Sequence, residues 1–519
     1  MALLRVKTQD GWVEGIPAGN QSISYFRGIP YAAPPVGELR WKKPAPVEPW
    51  EGVLPCYKFR NIAWQQRIAS EGGGIIASEF YCLDHPRSED CLQLNLWTPA
   101  KREDEKLPVA VYFHGGGFST GYGFLNCYDG EAMAKRGVIV ITVSHRLNSF
   151  GFLAHPWLSA ESPDGVSGNY GLWDLVASLR WVRENVAAFG GDPERVTIFG
   201  QSGGGEKVRF LLAAPAARGL FSQAIMQSGG GLQDFKPELR IKEAEARGAA
   251  FFDFCGFASL AEARAMPAEE LLEKTLAFSR QLQEQNRDPL DIFEPFQPIV
   301  DGALLPDWPR RIFLRGEHPD IPTMVGCTAQ EFYRPVAQLP TPEQARAHGA
   351  MHFGPERADD YLAASHVADD PVEADRVYGN LLGEMMYASD LGWLANQLRQ
   401  GFTPAFGYYL TLVPTGAETA HHSAEHHYVF QTLYRSNRPY TGRDYDLSNQ
   451  LCDYWTNFMK YGDPNGKSGG RSVGVPLPAW TPFTREDPRL MEIRYDPGMM
   501  PLPKDDFADF LAGETLKEE

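Results

Sequence analysis

The sequence predicts an α/β protein with a mostly parallel central sheet that is flanked by helices. Two unbroken apolar runs, at 108–113 and 138–143, are rich in β-branched residues. This pattern is typical of strands that are buried on both faces of a sheet. Segments with strand and helix patterns then alternate along the chain, which is the order that crossover connections between parallel strands require.

The predicted elements follow one another as this class demands. Short strands are predicted near 5–8, 11–16 and 94–98, ahead of the two apolar runs. Apolar residues with helical spacing predict a helix from 171, and Gly190, Gly191 and Pro193 mark its end. Further predicted elements are strands at 196–199, 224–228, 323–328, 406–413 and 490–495, with a helix that ends near 214. We expect one domain, residues 1–519, with insertions near 65–90, 232–320 and 335–400, of which the two later ones look helical and rich in loops.

Composition and charge argue against several classes of function. The 49 basic and 66 acidic residues give a net charge of −17, so neither nucleic acid nor an anionic membrane is expected as a partner. No apolar run approaches the roughly 20 residues of a membrane span, and the first residues contain too few apolar residues for a secretory signal. The seven cysteines show no CxxC pair and no zinc-like spacing. We therefore expect reduced thiols, no metal, and a protein that is cytoplasmic or already processed.

The most informative segment is the glycine-rich turn after the strand at 196–199. Gly200-Gln201-Ser202-Gly203-Gly204 contains G-x-S-x-G between a predicted strand and a predicted helix, which is the context that this nucleophile motif requires. A strand that reverses sharply into a helix leaves no room for side chains beside the turn, so the flanking residues must be glycine. The turn exposes the Ser202 hydroxyl at the N-terminus of the helix, where negative charge is stabilised.

A second glycine run, which we call the glycine loop (residues 114–118), follows the apolar run at 108–113. Its sequence His114-Gly115-Gly116-Gly117-Phe118 allows backbone N–H groups to approach a substrate carbonyl closely. A phosphate-binding loop is the alternative, but it would need a following Lys-Ser/Thr that is absent here. Together the two motifs indicate acyl transfer by an activated serine.

With these motifs the chain resembles the type-B carboxylesterase family, the esterase and cholinesterase branch of the α/β-hydrolases, and within it the bacterial para-nitrobenzyl-esterase type. The resemblance extends over almost the whole length. It is carried by FRGIPYAAPPVGELRW (26–41), SEDCLQLNLWTP (88–99), YFHGGGF (112–118), SHRLNSFGFL (144–153), GNYGLWD (168–174), FGGDPERVTIFGQSGGG (189–205) and YWTNFMKYGDPN (454–465). It implies the α/β-hydrolase fold, a serine esterase activity and no cofactor.

The resemblance implies a triad of Ser202, Glu331 and His422. The family's acid lies in a V-G-x-N-x-D-E-G-like segment, which here reads VGCTAQEF (325–332), with substitutions at 328, 330 and 332. The family's histidine segment resembles TAHHSAEHHYVF (419–430), where the alignment selects His422 and leaves His421 as the alternative. In such a triad the histidine takes the serine proton, and the acid fixes the imidazole.

The resemblance also assigns residues around the triad. Gly116, Gly117 and Gly203 resemble the family's three-donor oxyanion hole. Ser228 looks like the partner of the triad acid, with an ordinary strand-end serine as the alternative.

Three positions depart from the family's pattern. Gln201 stands where many relatives carry Glu, and the region before Cys91 lacks the cysteine that pairs with it in secreted relatives. Tyr81 stands where cholinesterases hold a quaternary ammonium on tryptophan, so a choline substrate is not expected.

Two other functions match single features of the sequence. His422, Glu425 and His426 form H-x-x-E-H, the motif of inverted zinc peptidases. Non-catalytic cholinesterase-like adhesion modules share the family, but they lack the nucleophile. The esterase hypothesis explains all the motifs together. Because the net charge of −17 repels anions, we expect a small-molecule substrate that is a neutral, largely apolar ester. Its pocket is expected to be walled by loops near 65–90, 275–300 and 332–400. The identity of the ester and the choice between monomer and homodimer stay open.

Overall fold

The computed structural model describes residues 2–67, 83–233, 238–286, 294–467, 471–472, 475–502 and 506–515. In these ranges the strands are β1 (Arg5–Lys7), β2 (Trp12–Glu14), β3 (Ile16–Pro17), β4 (Ser24–Pro30), β5 (Val53–Pro55), β6 (Gln93–Thr98), β7 (Leu107–Phe113), β8 (Ile139–Val143), β9 (Gly191–Gln201), β10 (Gln223–Gln227), β11 (Thr323–Thr328), β12 (Phe406–Leu410), β13 (Arg471–Ser472), β14 (Val475–Pro476), β15 (Arg489–Ile493) and β16 (Gly498–Pro501).

The α-helices in the same ranges lie mostly after β7 in the chain. They are α1 (Glu131–Lys135), α2 (Asn148–Phe152), α3 (Pro156–Glu161), α4 (Tyr170–Asn185), α5 (Gly203–Ala213), α6 (Ile241–Cys255), α7 (Leu260–Ala265), α8 (Ala268–Asn286), α9 (Pro309–Leu314), α10 (Pro342–Phe353), α11 (Ala358–Ser365), α12 (Pro371–Glu373), α13 (Leu381–Gln400), α14 (His426–Val429), α15 (Gly442–Tyr461) and α16 (Asp506–Thr515). Within the described ranges, none of the helices has the length and apolar character that crossing a bilayer requires.

One large sheet organises the described part of the chain. Its order is β16-β15-β12-β11-β10-β9-β7-β8-β6-β4-β3, and the neighbours from β15 to β8 pair in parallel. The pairs at its two edges are antiparallel. Helix α5 packs against β9, β10 and β7, while α13 packs against β11 and β12. The predicted α/β class with a mostly parallel, helix-flanked sheet is confirmed.

The strands predicted from apolar patterns are all present, and the unpredicted ones have physical reasons to escape detection. Strand β4 contains Gly28 at a bulge, where its N–H donates to Asn95 Oδ1 at 3.0 Å instead of completing the ladder. The bulge breaks the alternation on which strand prediction depends. Strands β5 and β16 are short edge strands of three and four residues, too brief to show a period.

Two of the three predicted insertions contain helices in their described residues. Residues 238–314 carry α6 to α9, and residues 342–400 carry α10 to α13. Most of the segment predicted near 65–90 lies outside the described residues, as do Tyr81 and Cys82. No disulfide joins any two of the six described cysteines. The single-domain organisation stays a prediction.

Candidate active site

Ser202 occupies a sharp turn between strand β9 and helix α5. Its backbone has φ +57° and ψ −132°, a conformation that is strained for a residue with a side chain. The turn closes only because its neighbours are glycines: a Cβ on Gly204 would overlap with the carbonyl oxygen of Phe113, and one on Gly200 with that of Gly204. The Ser202 N–H donates to the Gln227 carbonyl at 2.8 Å, which fixes the turn to strand β10.

The glycine loop lies directly against this turn. Gly116 and Gly117 both adopt the left-handed region, with φ +87° and +57°. A Cβ on Gly203 would lie 2.5 Å from the Gly117 Cα, so the two backbones are in contact. The N–H groups of Gly116 and Gly117 form no hydrogen bond within the described residues. They are therefore available to a substrate oxygen beside Ser202.

The structure brings His422 and Glu331 together, although 91 residues separate them in the chain. The His422 Nδ1 donates to the Glu331 carboxylate, whose other oxygen accepts from the Thr328 N–H at 2.7 Å. Both side chains are buried, at 6% and 2% exposure. Because a carboxylate only accepts hydrogen bonds, the proton of the neutral imidazole is on Nδ1 and Nε2 is a free acceptor.

The Nε2 of His422 faces the side chain of Gln201, the residue next to Ser202. The Gln201 amide nitrogen lies 3.2 Å from this Nε2, and the amide oxygen lies 3.1 Å from the Nε2 of His426. Burial lowers the pKa of His426 well below its ordinary value, so His426 is neutral and donates to Gln201. This donation orients the amide with its NH₂ toward His422. The Ser202 hydroxyl makes no hydrogen bond with the described residues in this arrangement.

His421, the alternative triad histidine, faces a different direction. Its Nδ1 lies 2.9 Å from the carbonyl oxygen of His422, and its backbone forms a bridge with Gln330. The structure thus places His422, and not His421, against the acid.

The zinc-peptidase hypothesis finds no support in the geometry. Helix α14 begins at His426, so His422 and His426 do not share a helix face as the motif demands. The described residues contain no group of three or more side chains arranged to hold a metal ion.

Ser228, predicted as a partner of the acid, forms no side-chain hydrogen bond with Glu331. Its hydroxyl is buried without a hydrogen-bond partner among the described residues, and only its backbone N–H is engaged, with the Gly326 carbonyl at 2.8 Å. Its backbone φ of +48° shows that the residue is a strained strand end, like Ser202. The ordinary strand-end serine, which the sequence left open, describes this geometry better.

Glu425 is a buried carboxyl that sequence reasoning used only as an alignment anchor. It is completely inaccessible, and its Oε1 accepts from the Gln227 side-chain amide at 3.1 Å. Burial, together with the charge of Glu331, raises its pKa from 4.5 to about 7. The i+3 spacing from His422 was the only available signal of its position.

We expect Glu425→Gln to stabilise the protein increasingly as the pH rises. Because the pKa is raised in the folded state, the folded protein holds this proton more tightly than the unfolded chain. Protonated Glu425 therefore contributes stability that is fully present below pH 4.5. This stability is lost as the pH rises through 7, which lowers the free energy of unfolding of the wild type by about 3 kcal/mol. Melting temperatures at pH 5, 6, 7 and 8 measure the difference between the two proteins. The exposed Glu418→Gln is the control, and a pH-independent difference for Glu425→Gln contradicts the expectation.

The chain is similar over most of its length to known esterases. The carboxylesterase family model matches residues 3–510. The fumonisin B1 esterase of Sphingopyxis macrogoltabida is 34% identical over 88% of this chain and 82% of its own. The para-nitrobenzyl esterase of Bacillus subtilis is 33% identical over 93% of each chain.

A solved structure, that of a thermophilic PNB esterase, superimposes with a TM-score of 0.80 at 29% identity and covers 99% of each chain. The family and the α/β-hydrolase fold that the sequence resemblance implied are thereby confirmed. The chain belongs to the carboxylesterase family and is a carboxylic-ester hydrolase.

Proposed function

We propose that this enzyme hydrolyses neutral, largely apolar esters through an acyl-enzyme formed on Ser202, with His422 as the base and Glu331 as the acid that orients it. One observation carries the proposal. His422 is fixed by Glu331 at Nδ1, while its unprotonated Nε2 lies beside the residue adjacent to Ser202. This is the arrangement of base and orienting acid that activates a serine hydroxyl.

The first half-reaction forms the acyl-enzyme. The Ser202 Oγ attacks the ester carbonyl carbon as its proton passes to His422 Nε2, and the negative oxygen accepts hydrogen bonds from the N–H groups of Gly116, Gly117 and Gly203. When this intermediate collapses, the bond to the alcohol oxygen breaks and the alcohol takes the proton from His422. Water then attacks the acyl-enzyme with the same base and releases the carboxylic acid and Ser202.

The histidine needs no change of protonation to begin. Its Nε2 accepts from the Gln201 amide, and exchange of this donor for the Ser202 hydroxyl leaves the Nδ1–Glu331 contact unchanged.

The charge distribution supports the neutral substrate. The net charge is −17, and the carboxylate of Glu294 lies against Gly117 at the glycine loop. Both disfavour an anionic group near the acyl carbon. The substrates named for the relatives differ among themselves, so the preference rests on charge and not on similarity.

We expect Ser202→Ala to abolish ester hydrolysis without unfolding the protein. Loss of the nucleophile costs on the order of 10⁶-fold in turnover, while removal of one exposed oxygen from the turn leaves the packing intact. The rate with a neutral chromogenic ester and the melting temperature are the measurements, with Ser222→Ala as the matched control at a half-buried serine outside the site. Retention of more than a tenth of the activity would exclude Ser202 as the nucleophile.

We expect Gln201→Glu to move the acid limb of the pH–rate profile to higher pH by about one unit. The new carboxylate would lie about as close to His422 Nε2 as the amide does, at 3.2 Å, and would favour the imidazolium that cannot act as base. The groups already facing this imidazole, Glu331, Glu425 and neutral His426, are unchanged. The profile of kcat/KM is compared with that of Gln21→Glu, which adds the same charge at an exposed position outside the expected pocket loops. An unmoved acid limb would show that Gln201 does not sense the charge of His422.

We expect a neutral ester to be hydrolysed faster than an analogue of equal size that bears a carboxylate on its acyl group. Repulsion of the anion is screened by salt, so the difference in kcat/KM narrows between about 10 mM and 500 mM salt. Preference for the anionic ester at low salt would mean that a local basic pocket outweighs the negative charges, and the proposed substrate class would be wrong.

A further inference from the structure

Lys207 binds the glycine loop from helix α5, which begins directly after Ser202. It lies five residues after Ser202, on α5, and its side chain is completely buried. Its ammonium donates to the carbonyl of His114 at 2.9 Å and to that of Gly117 at 2.7 Å. These two carbonyls lie at the beginning and the end of the three-glycine run.

Glu294 holds the same loop from the opposite side. Its Oε1 accepts from the Phe118 N–H at 3.0 Å and from the Ser119 hydroxyl at 2.7 Å. The peptide group between Gly117 and Phe118 is therefore bound at both of its polar groups. Its carbonyl accepts a hydrogen bond from the Lys207 ammonium, and its N–H donates one to the Glu294 carboxylate. Bonds to charged groups are roughly twice as strong as those between neutral groups.

The glycine loop needs such an external restraint. Gly116 and Gly117 adopt positive φ values, which glycine populates about as readily as negative ones. Glycine also loses more conformational freedom on ordering than any other residue. An oxyanion hole works only when its N–H groups are already aimed at the oxygen before charge develops. Burial of an ammonium is costly, and an apolar side chain would fill the same space at no such cost.

We propose that Lys207, together with Glu294, is a positioning residue that fixes the N–H groups of Gly116 and Gly117 relative to Ser202. Because Lys207 lies on helix α5 and Ser202 lies in the turn that leads directly into it, the ammonium fixes the donors relative to the nucleophile. The inference rests on the proposed function, since it takes Ser202 as the nucleophile and these N–H groups as donors. Loss of Lys207 should therefore weaken binding of the transition state and leave binding of the substrate nearly unchanged.

The test uses Lys207→Met, which removes the ammonium and keeps the length of the side chain. The kcat per active site, counted by titration with an organophosphate, should fall about 100-fold, which is the loss that one misplaced donor causes, with KM within about threefold. A trifluoromethyl ketone forms a tetrahedral adduct in which the Ser202 Oγ bonds to its carbonyl carbon, the proton passes to His422, and an oxyanion remains. Its Ki should rise in parallel with the fall in kcat.

Matched variants separate positioning from simple stabilisation. Lys242→Met, at an exposed lysine of α6, should leave all these values unchanged. Glu294→Gln keeps an oxygen for the Phe118 N–H and should lose less than tenfold in kcat, whereas Glu294→Ala should lose more and raise the Ki of the ketone. Glu294 is partly exposed, so its variants test the proposal even if Lys207→Met does not fold.

The outcomes distinguish this inference from the proposed function. Suppose that Ser202→Ala is inactive, and that Lys207→Met or Glu294→Ala only melts at a lower temperature. If kcat per titrated site and the Ki of the ketone are then unchanged, the side chains are purely structural and the inference is overturned. If Ser202→Ala retains activity, the proposed function itself fails, whatever the Lys207 variants show.

Discussion

The strained backbone of Ser202 is the constraint on which the rest of the site depends. A residue with a side chain held at φ +57° costs of order 1–3 kcal/mol, and it persists only where its surroundings leave no alternative. Those surroundings are strand β9, which lies in the middle of the sheet between β7 and β10, and the glycines at which neighbouring backbone segments closely approach the turn. A Cβ on Gly229 would overlap with the Ser202 carbonyl, so even the far side of the turn is in contact with the next strand. The sheet supplies the rigidity that keeps the Ser202 turn in this conformation.

Parallel pairing explains why residues so distant in the chain meet. The glycine loop follows β7, Ser202 follows β9 and Glu331 follows β11, and His422 lies in the segment after β12. Because all four strands run in the same direction, their carboxyl ends lie at one edge of the sheet, where open α/β sheets place their ligands. Two links then close the site across the edge: a bridge between Gln330 and His421, and a hydrogen bond from the His422 N–H to the Glu331 carbonyl at 3.0 Å.

The features that the sequence predicts well are those with local causes. Continuous apolar runs predicted β7 and β8 because a strand buried on both faces can contain nothing else, and G-x-S-x-G marked its turn because sterics alone demand glycine there. The pairing of Glu331 with His422 needed the family resemblance, since no local pattern relates residues 91 positions apart. Lys207, Glu294 and Glu425 escaped sequence prediction because each acts through a contact with residues distant in the chain. Ser228 was predicted as a partner of Glu331, but its hydroxyl forms no hydrogen bond with the described residues. A charged residue in an amphipathic segment is ordinarily expected at the surface, so burial of the Lys207 ammonium has no sequence signature.

The ionisable groups around His422 leave it with one permanent counter-ion. Glu331 accepts from Nδ1, whereas burial raises the pKa of Glu425 to about 7 and keeps that carboxyl partly neutral near physiological pH. On the Nε2 side, the uncharged amide of Gln201 donates a hydrogen bond to His422. Neutral His426 donates to the oxygen of the same amide and so fixes its orientation. A catalytic base must both take a proton from serine and return it to the leaving alcohol, so it is served best by a pKa near the working pH. A second full carboxylate at Nε2 would favour the charged imidazole throughout the cycle and slow that return. The neutral amide beside Ser202 therefore suits His422 as the proposed base, whose proton must leave as readily as it arrives.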